Sequence, residues 1–112
     1  MTTTKPAWHA KRTDETRMVE NVLSEGRFDQ VDAYRYNSAS IRVRVIDRRF
    51  DGKSRDKRDA MVERYLDKLP PETQRDIVTL WTFAPSELEP TAATSTEYML
   101  NHEFEQPSRS RL

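Results

Sequence analysis

The sequence predicts a small α+β domain: a three-stranded mixed sheet with two main helices on one face, in the order helix, strand, strand, helix, short helix, strand. Three observations predict it. Ile41, Val43 and Val45 alternate with Arg42 and Arg44, the period-two pattern of a strand with one dry face and one polar face. Met61, Val62, Tyr65, Leu66 and Leu69 recur at helical spacing. Asp76 to Phe83, DIVTLWTF, is a nearly continuous apolar run of strand type.

The elements follow in chain order. Residues 1–12 carry Lys5, Lys11 and Arg12 without an acid and read as a flexible arm. Thr13 stands where a helix N-cap belongs, and Asp14 and Glu15 complement the helix dipole in the first turn. Met18, Val19, Val22 and Leu23 form one apolar face, and Gly26 is placed to end this helix in a left-handed conformation. Phe28 to Tyr36 reads as a first strand, and NSAS, Asn37 to Ser40, as the hairpin turn into the strand of Ile41, Val43 and Val45. Gly52 supplies a turn, Ser54 caps a helix running from Arg55 to about Lys68, and Pro70 stops it. Pro71 opens a short helical turn before the last strand, which reads as the most buried of the three. A strand, a helix and a strand over Ile41 to Phe83 make a crossover unit, so these two strands run parallel. The domain spans 13–89, and 90–112 reads as a disordered tail because its composition shifts to Thr, Ser, Pro and Glu.

Composition narrows the function. In 112 residues there is room for one core. Lys plus Arg equals Asp plus Glu at 19 each, so any attraction to nucleic acid must be local. No cysteine is present, which excludes disulfides, thiolate metal sites and a cysteine nucleophile. No signal-peptide core or membrane-length apolar run is seen, so a soluble cytoplasmic protein with no membrane contact is expected.

Between Ser40 and Ala60, eight basic residues stand against four acidic ones. Arg42, Arg44, Arg48, Arg49, Lys53 and Arg58 are the candidate contacts for a nucleic acid or a protein partner. The four interspersed aspartates blunt that field, so a solvated, salt-bridged surface is the favoured reading. FDGKS, Phe50 to Ser54, could hold an anion at a helix start, but it lacks the phosphate-loop frame and Ser54 is explained by capping. Phe50 reads as a core anchor. The acid pairs Asp47 with Asp51 and Asp56 with Asp59 have arginine neighbours, so no metal and no cofactor is expected. Both histidines, His9 and His102, fall in the expected tails, and no nucleophile motif is present; the chain reads as a non-enzyme. In the acidic tail, Tyr98, Met99, Leu100 and Phe104 are spaced to dock a short helix in a partner's groove or back on the basic face.

The succession helix, hairpin, F-x-G-K-S, amphipathic helix, short helix and apolar strand resembles the BolA family. Phe50, Gly52, Lys53, Ser54, Arg58, Val62 and Leu66 stand at the matching spacing, and TFAPSEL is similar to the family's proline-containing end of the last strand. The likeness covers Asp14 to Leu88; its specific part is Phe50 to Leu66. It implies a class II KH-like fold, and functions linked to iron–sulfur handling with monothiol glutaredoxins or, in some members, to DNA binding. The family's cluster-ligating histidine falls on Asp59, a hard oxygen donor ill suited to that site. DGKSR also offers one glycine only, not the G-x-x-G clamp of a KH loop. The expectation is therefore an adaptor that binds a protein partner without a cluster, the alternative being a KH-like nucleic-acid binder using the basic residues around 42–58.

Overall fold

The computed structural model describes residues 6–111. Its elements are α1 (Asp14–Ser24), β1 (Gln30–Asn37), β2 (Ser40–Ile46), α2 (Arg55–Leu66), α3 (Pro71–Asp76), β3 (Ile77–Phe83) and α4 (Thr96–Glu105), with short 3₁₀ turns at Ala7–Lys11, Arg48–Phe50, Pro85–Leu88 and Pro90–Ala92. The sheet has the order β1-β2-β3. β1 and β2 form the antiparallel hairpin, and β2 and β3 run parallel, as the crossover requires.

Local chemistry accounts for the boundaries. The Thr13 hydroxyl accepts from the Thr16 N–H and the Thr16 hydroxyl from the Thr13 N–H, closing the start of α1. The Ser54 hydroxyl caps α2 by accepting from the Lys57 N–H. The Asn37 carboxamide oxygen accepts from the Ala39 N–H and the Ser40 hydroxyl, which shapes the hairpin turn. Gly52 turns the chain at φ +74°.

Gly26 differs from the expectation. The left-handed residue after α1 is Arg27, with φ 54°, and Gly26 is needed for another reason. A Cβ at Gly26 would lie 2.4 Å from the Phe28 ring and 2.9 Å from the Tyr65 ring. The small residue lets two aromatics close over the end of α1.

The main core lies between one face of the sheet and α1 with α2. Ile41, Val43, Val45 and Ala33 meet Val19, Leu23, Val62, Leu66 and Phe50 there. Phe50 is thus the expected core anchor. β3 is not the most buried strand. It is an edge, with Val78 64% exposed, whereas β2 sits between two neighbours and holds the buried Ile41, Val43 and Val45. A charge-free run in sequence does not distinguish a central strand from an edge whose flank is open.

The opposite face of the sheet carries a second, aromatic core. Trp8, Tyr34 and Phe104 are buried together, flanked by Tyr36 and Trp81. The described part of the expected arm, 6–12, folds as a 3₁₀ turn that inserts Trp8, and the expected disordered tail folds as α4. Both corrections have one cause. The second face of the sheet exposes aromatic rings and arginines, and the ends of the chain supply the rings and carboxylates that cover it. Residues 1–5 of the arm lie outside the described residues.

Candidate functional site

The six basic residues singled out in the sequence do not form one face. Arg42 and Arg44 project from β2 onto the side covered by α4, and Arg58 lies on α2 on the other side of the sheet. Arg42 Nη1 donates to Glu103 Oε2 at 2.8 Å and to the Tyr34 hydroxyl at 3.2 Å, with its guanidinium 3.6 Å from the Tyr36 ring centre. Arg44 is 1% exposed. It donates to Asp32 Oδ2 from Nε and Nη2 (3.2 and 2.7 Å), and from Nη1 to Asn101 Oδ1 (2.9 Å) and Glu105 Oε1 (2.6 Å). Four of its five N–H donors are spent, and burial keeps the guanidinium out of reach of a phosphate.

Arg58 is equally occupied. It forms a fork on Glu87 (2.7 and 3.1 Å), and it donates to the Thr82 carbonyl at 3.2 Å and the Lys53 carbonyl at 2.9 Å. Arg49 donates to Asp47 from Nε at 2.8 Å and from Nη2 at 3.0 Å, and to the Gly26 carbonyl at 3.0 Å. Arg48 and Lys53 remain exposed, Arg48 with a loose 3.7 Å contact to Asp29. The basic stretch is mostly an internal clasp.

The carboxylates show the same balance. Burial works to raise the Asp47 carboxyl, but hydrogen bonds from the Arg49 side chain and from the N–H groups of Arg49 and Asp29 outweigh it and hold the group below its ordinary value. Burial likewise opposes ionisation of Glu87, Glu103 and Glu105, and donors from Arg58, from Ser108 with Arg42, and from Arg44 with Trp8 lower each of them. Asp59 goes the other way: burial pushes it up, and a hydrogen bond from the Thr82 hydroxyl at 3.3 Å only partly compensates. Among the described residues no group of three or more His, Cys, Asp or Glu side chains is placed to hold a metal.

The four tail residues divide as a docked helix must. Phe104 is fully buried, Tyr98 and Leu100 are half-buried, and Met99 is 63% exposed. Of the two destinations the spacing allowed, a partner's groove or the chain's own basic face, α4 takes the second, on Arg42 and Arg44.

What remains open is the outer flank of β3. No strand among the described residues pairs with it. The Phe83 carbonyl accepts from the Asp47 N–H at 3.0 Å, so Phe83, Trp81 and Thr79 turn their main-chain groups toward β2, and Leu80 and Thr82 turn theirs outward. The Thr82 carbonyl is taken by Arg58, which closes one end of the flank. Beside the open part lies a cleft of about 340 Å³ with Leu66, Ile77, Val78 and Leu80 as its apolar floor and Glu63 and Asp67 on its rim. Gln74, also in its wall, is locked by donating to the Leu69 and Asp67 carbonyls at 2.6 and 3.2 Å, so the wall is preformed.

The sequence reading passed over this cleft. A signal was present: Ile77 to Ser86 contains no charge, while Asp59, Glu63 and Asp67 follow each other at helical i+4 spacing along α2 and its C-cap. Neither fact says by itself that the two lie side by side. Among the described residues no helix is long and apolar enough to cross a membrane. No protein-family model and no curated protein matches the chain.

Proposed function

We propose that the chain is a non-enzymatic interaction module, a BolA-like adaptor without the cluster-ligating histidine, and that it receives a protein partner along the open flank of β3. The observation that carries this reading is the uncharged, unpaired edge at Ile77 to Trp81 beside a preformed apolar cleft. Native edges are normally blunted by charge, proline or a covering element, and this part of β3 has neither charge nor proline. Asp59 supports the absence of a cluster, since it is occupied by the Thr82 hydroxyl and has oxygen donors only. The nucleic-acid alternative loses Arg42, Arg44 and Arg58 to internal ion pairs.

The test is affinity capture from cell extract with nuclease present, using immobilised wild type, Val78→Lys and Arg48→Glu/Arg49→Glu. Val78 is exposed enough for lysine to leave the fold intact. Proteins retained by wild type and by the double variant, and lost with Val78→Lys, are expected. Retention unchanged by Val78→Lys, or abolished by nuclease, would overturn the proposal.

A further inference from the structure

The two edges of this sheet are treated differently. β1 carries Asp32 and Arg35, and the Glu20 carboxylate accepts from the Ala33 N–H at 3.1 Å on its outer side. Tyr36 and Asn37, at its far end, are touched by the hydroxyls of Ser108 and Ser110. These are the devices by which an edge is kept from pairing. β3 is closed at its two ends, by Arg58 on the Thr82 carbonyl and by the Gln74 carbonyl on the Ile77 N–H, and the flank between them is open. A fourth strand of about five residues fits the flank left uncovered.

The chemistry of that strand can be read from α2. Asp59, Glu63 and Asp67 form an acidic stripe along the side of α2 that faces β3: Asp59 accepts from Thr82, and Glu63 and Asp67 rim the cleft over Val78 and Leu80. Glu63 and Asp67 are exposed and engage in none of the chain's salt bridges among the described residues. A second copy docking edge to edge would bring an identical acidic stripe toward this one, and of the two arginines beside Asp59, Arg55 and Arg58, the second is already paired with Glu87. Like charges disfavour that pairing, and opposite charge favours a cationic strand.

From this we infer that β3 accepts an extended segment of another protein in which apolar residues alternate with Lys or Arg. The segment adds to the sheet by main-chain hydrogen bonds at Leu80. Its basic side chains fall on the α2 side, where their aliphatic stems cover Leu66, Ile77 and Val78 and their charged ends reach Glu63 and Asp67, and its apolar side chains fall on the opposite face, beside Trp81. This rests on the reading of the β3 flank as the partner surface, and adds to it the class of partner.

Fluorescence anisotropy of the full chain tests it with three labelled peptides: Lys-Val-Thr-Val-Arg-Val-Lys, the same peptide with Glu at each basic position, and the first peptide N-methylated at alternate residues. The cationic peptide should bind, and the other two at least about tenfold more weakly. Glu63→Lys/Asp67→Lys should weaken the cationic peptide about tenfold and improve the anionic one, and added salt should weaken binding in wild type. Equal binding of both charge types, undiminished binding of the N-methylated peptide, or binding insensitive to Glu63→Lys/Asp67→Lys would overturn the inference. So would a dimer in sedimentation velocity that Val78→Lys dissolves. Failure of all three peptides alongside a capture that Val78→Lys still abolishes overturns the strand chemistry while leaving the edge as the partner surface.

Discussion

Replacing Arg44 by methionine tests the link between the tail helix and the sheet. Methionine keeps most of the aliphatic stem, so the change removes the guanidinium and little of the packing. Four hydrogen bonds go with it: two to Asp32, one to Asn101 and one to Glu105. It also removes the cation 4.3 Å from the Phe104 ring. Breaking a buried ion pair from one side costs about 3–5 kcal/mol, because the carboxylates left behind are desolvated without a partner. Here Asp32 and Glu105 keep 15% and 32% of their side-chain surface in water, which places the expected loss near the lower end, about 3 kcal/mol. Urea denaturation at pH 7 followed by tryptophan fluorescence measures it, since Trp8 lies against the same cluster. Arg48→Met, at 84% exposure, is the control and should change stability by no more than about 0.5 kcal/mol. Acid supplies a second arm. Burial raises the Glu105 carboxyl, but the hydrogen bonds from Arg44 and Trp8 lower it further, so its folded value lies below its unfolded one. That stabilisation is present above the unfolded value and is lost as pH falls through the folded one. The gap between wild type and Arg44→Met should therefore narrow on acidification. A variant within about 0.5 kcal/mol of wild type at pH 7 would refute the claim that Arg44 clasps α4 to the sheet.

Phe104→Ala should cost about 3–5 kcal/mol in the same assay, since the ring is fully buried between Trp8 and Tyr34; a cost near zero would mean that α4 is not docked in solution. Gly26→Ala should destabilise by about 1–3 kcal/mol, because its Cβ meets aromatic rings that are themselves packed. Gly52→Ala faces open space and should cost about 1 kcal/mol, from its positive φ alone; the reverse ranking of the two glycines would contradict their assigned roles. Asp47, Glu87, Glu103 and Glu105 all have folded values below their unfolded ones, so stability should be flat at neutral pH, begin to fall as pH drops through about 4, and continue to fall below it. Circular dichroism with denaturant across that range checks it, and a stability that does not fall in acid would be the contrary result.

The hairpin, the parallel crossover and the main core were legible in the sequence because each rests on local repetition. The alternation at Ile41 to Val45, the capping residues Thr13 and Ser54 and the turn at Gly52 act over a few neighbours, and the structure places them as that chemistry requires. The arginines were legible as basic but not as occupied. Arg42, Arg44 and Arg58 find their carboxylates at separations of 61, 61 and 29 residues, and no local pattern encodes such a meeting.

The same reasoning separates what the amino-acid order determined alone from what folding had to decide. Periodicity sets which side of each element is dry, so the order fixed the α+β class and the face of the sheet that α1 and α2 cover. Whether β3 is central or an edge, and whether Trp8 and Phe104 drift in water or roof the second face, depends on which distant surfaces meet. Burial and ion pairing are properties of a pair of surfaces. Glu63 and Asp67 therefore become the rim of a cleft only once β3 has been laid beside α2 with its outer flank open.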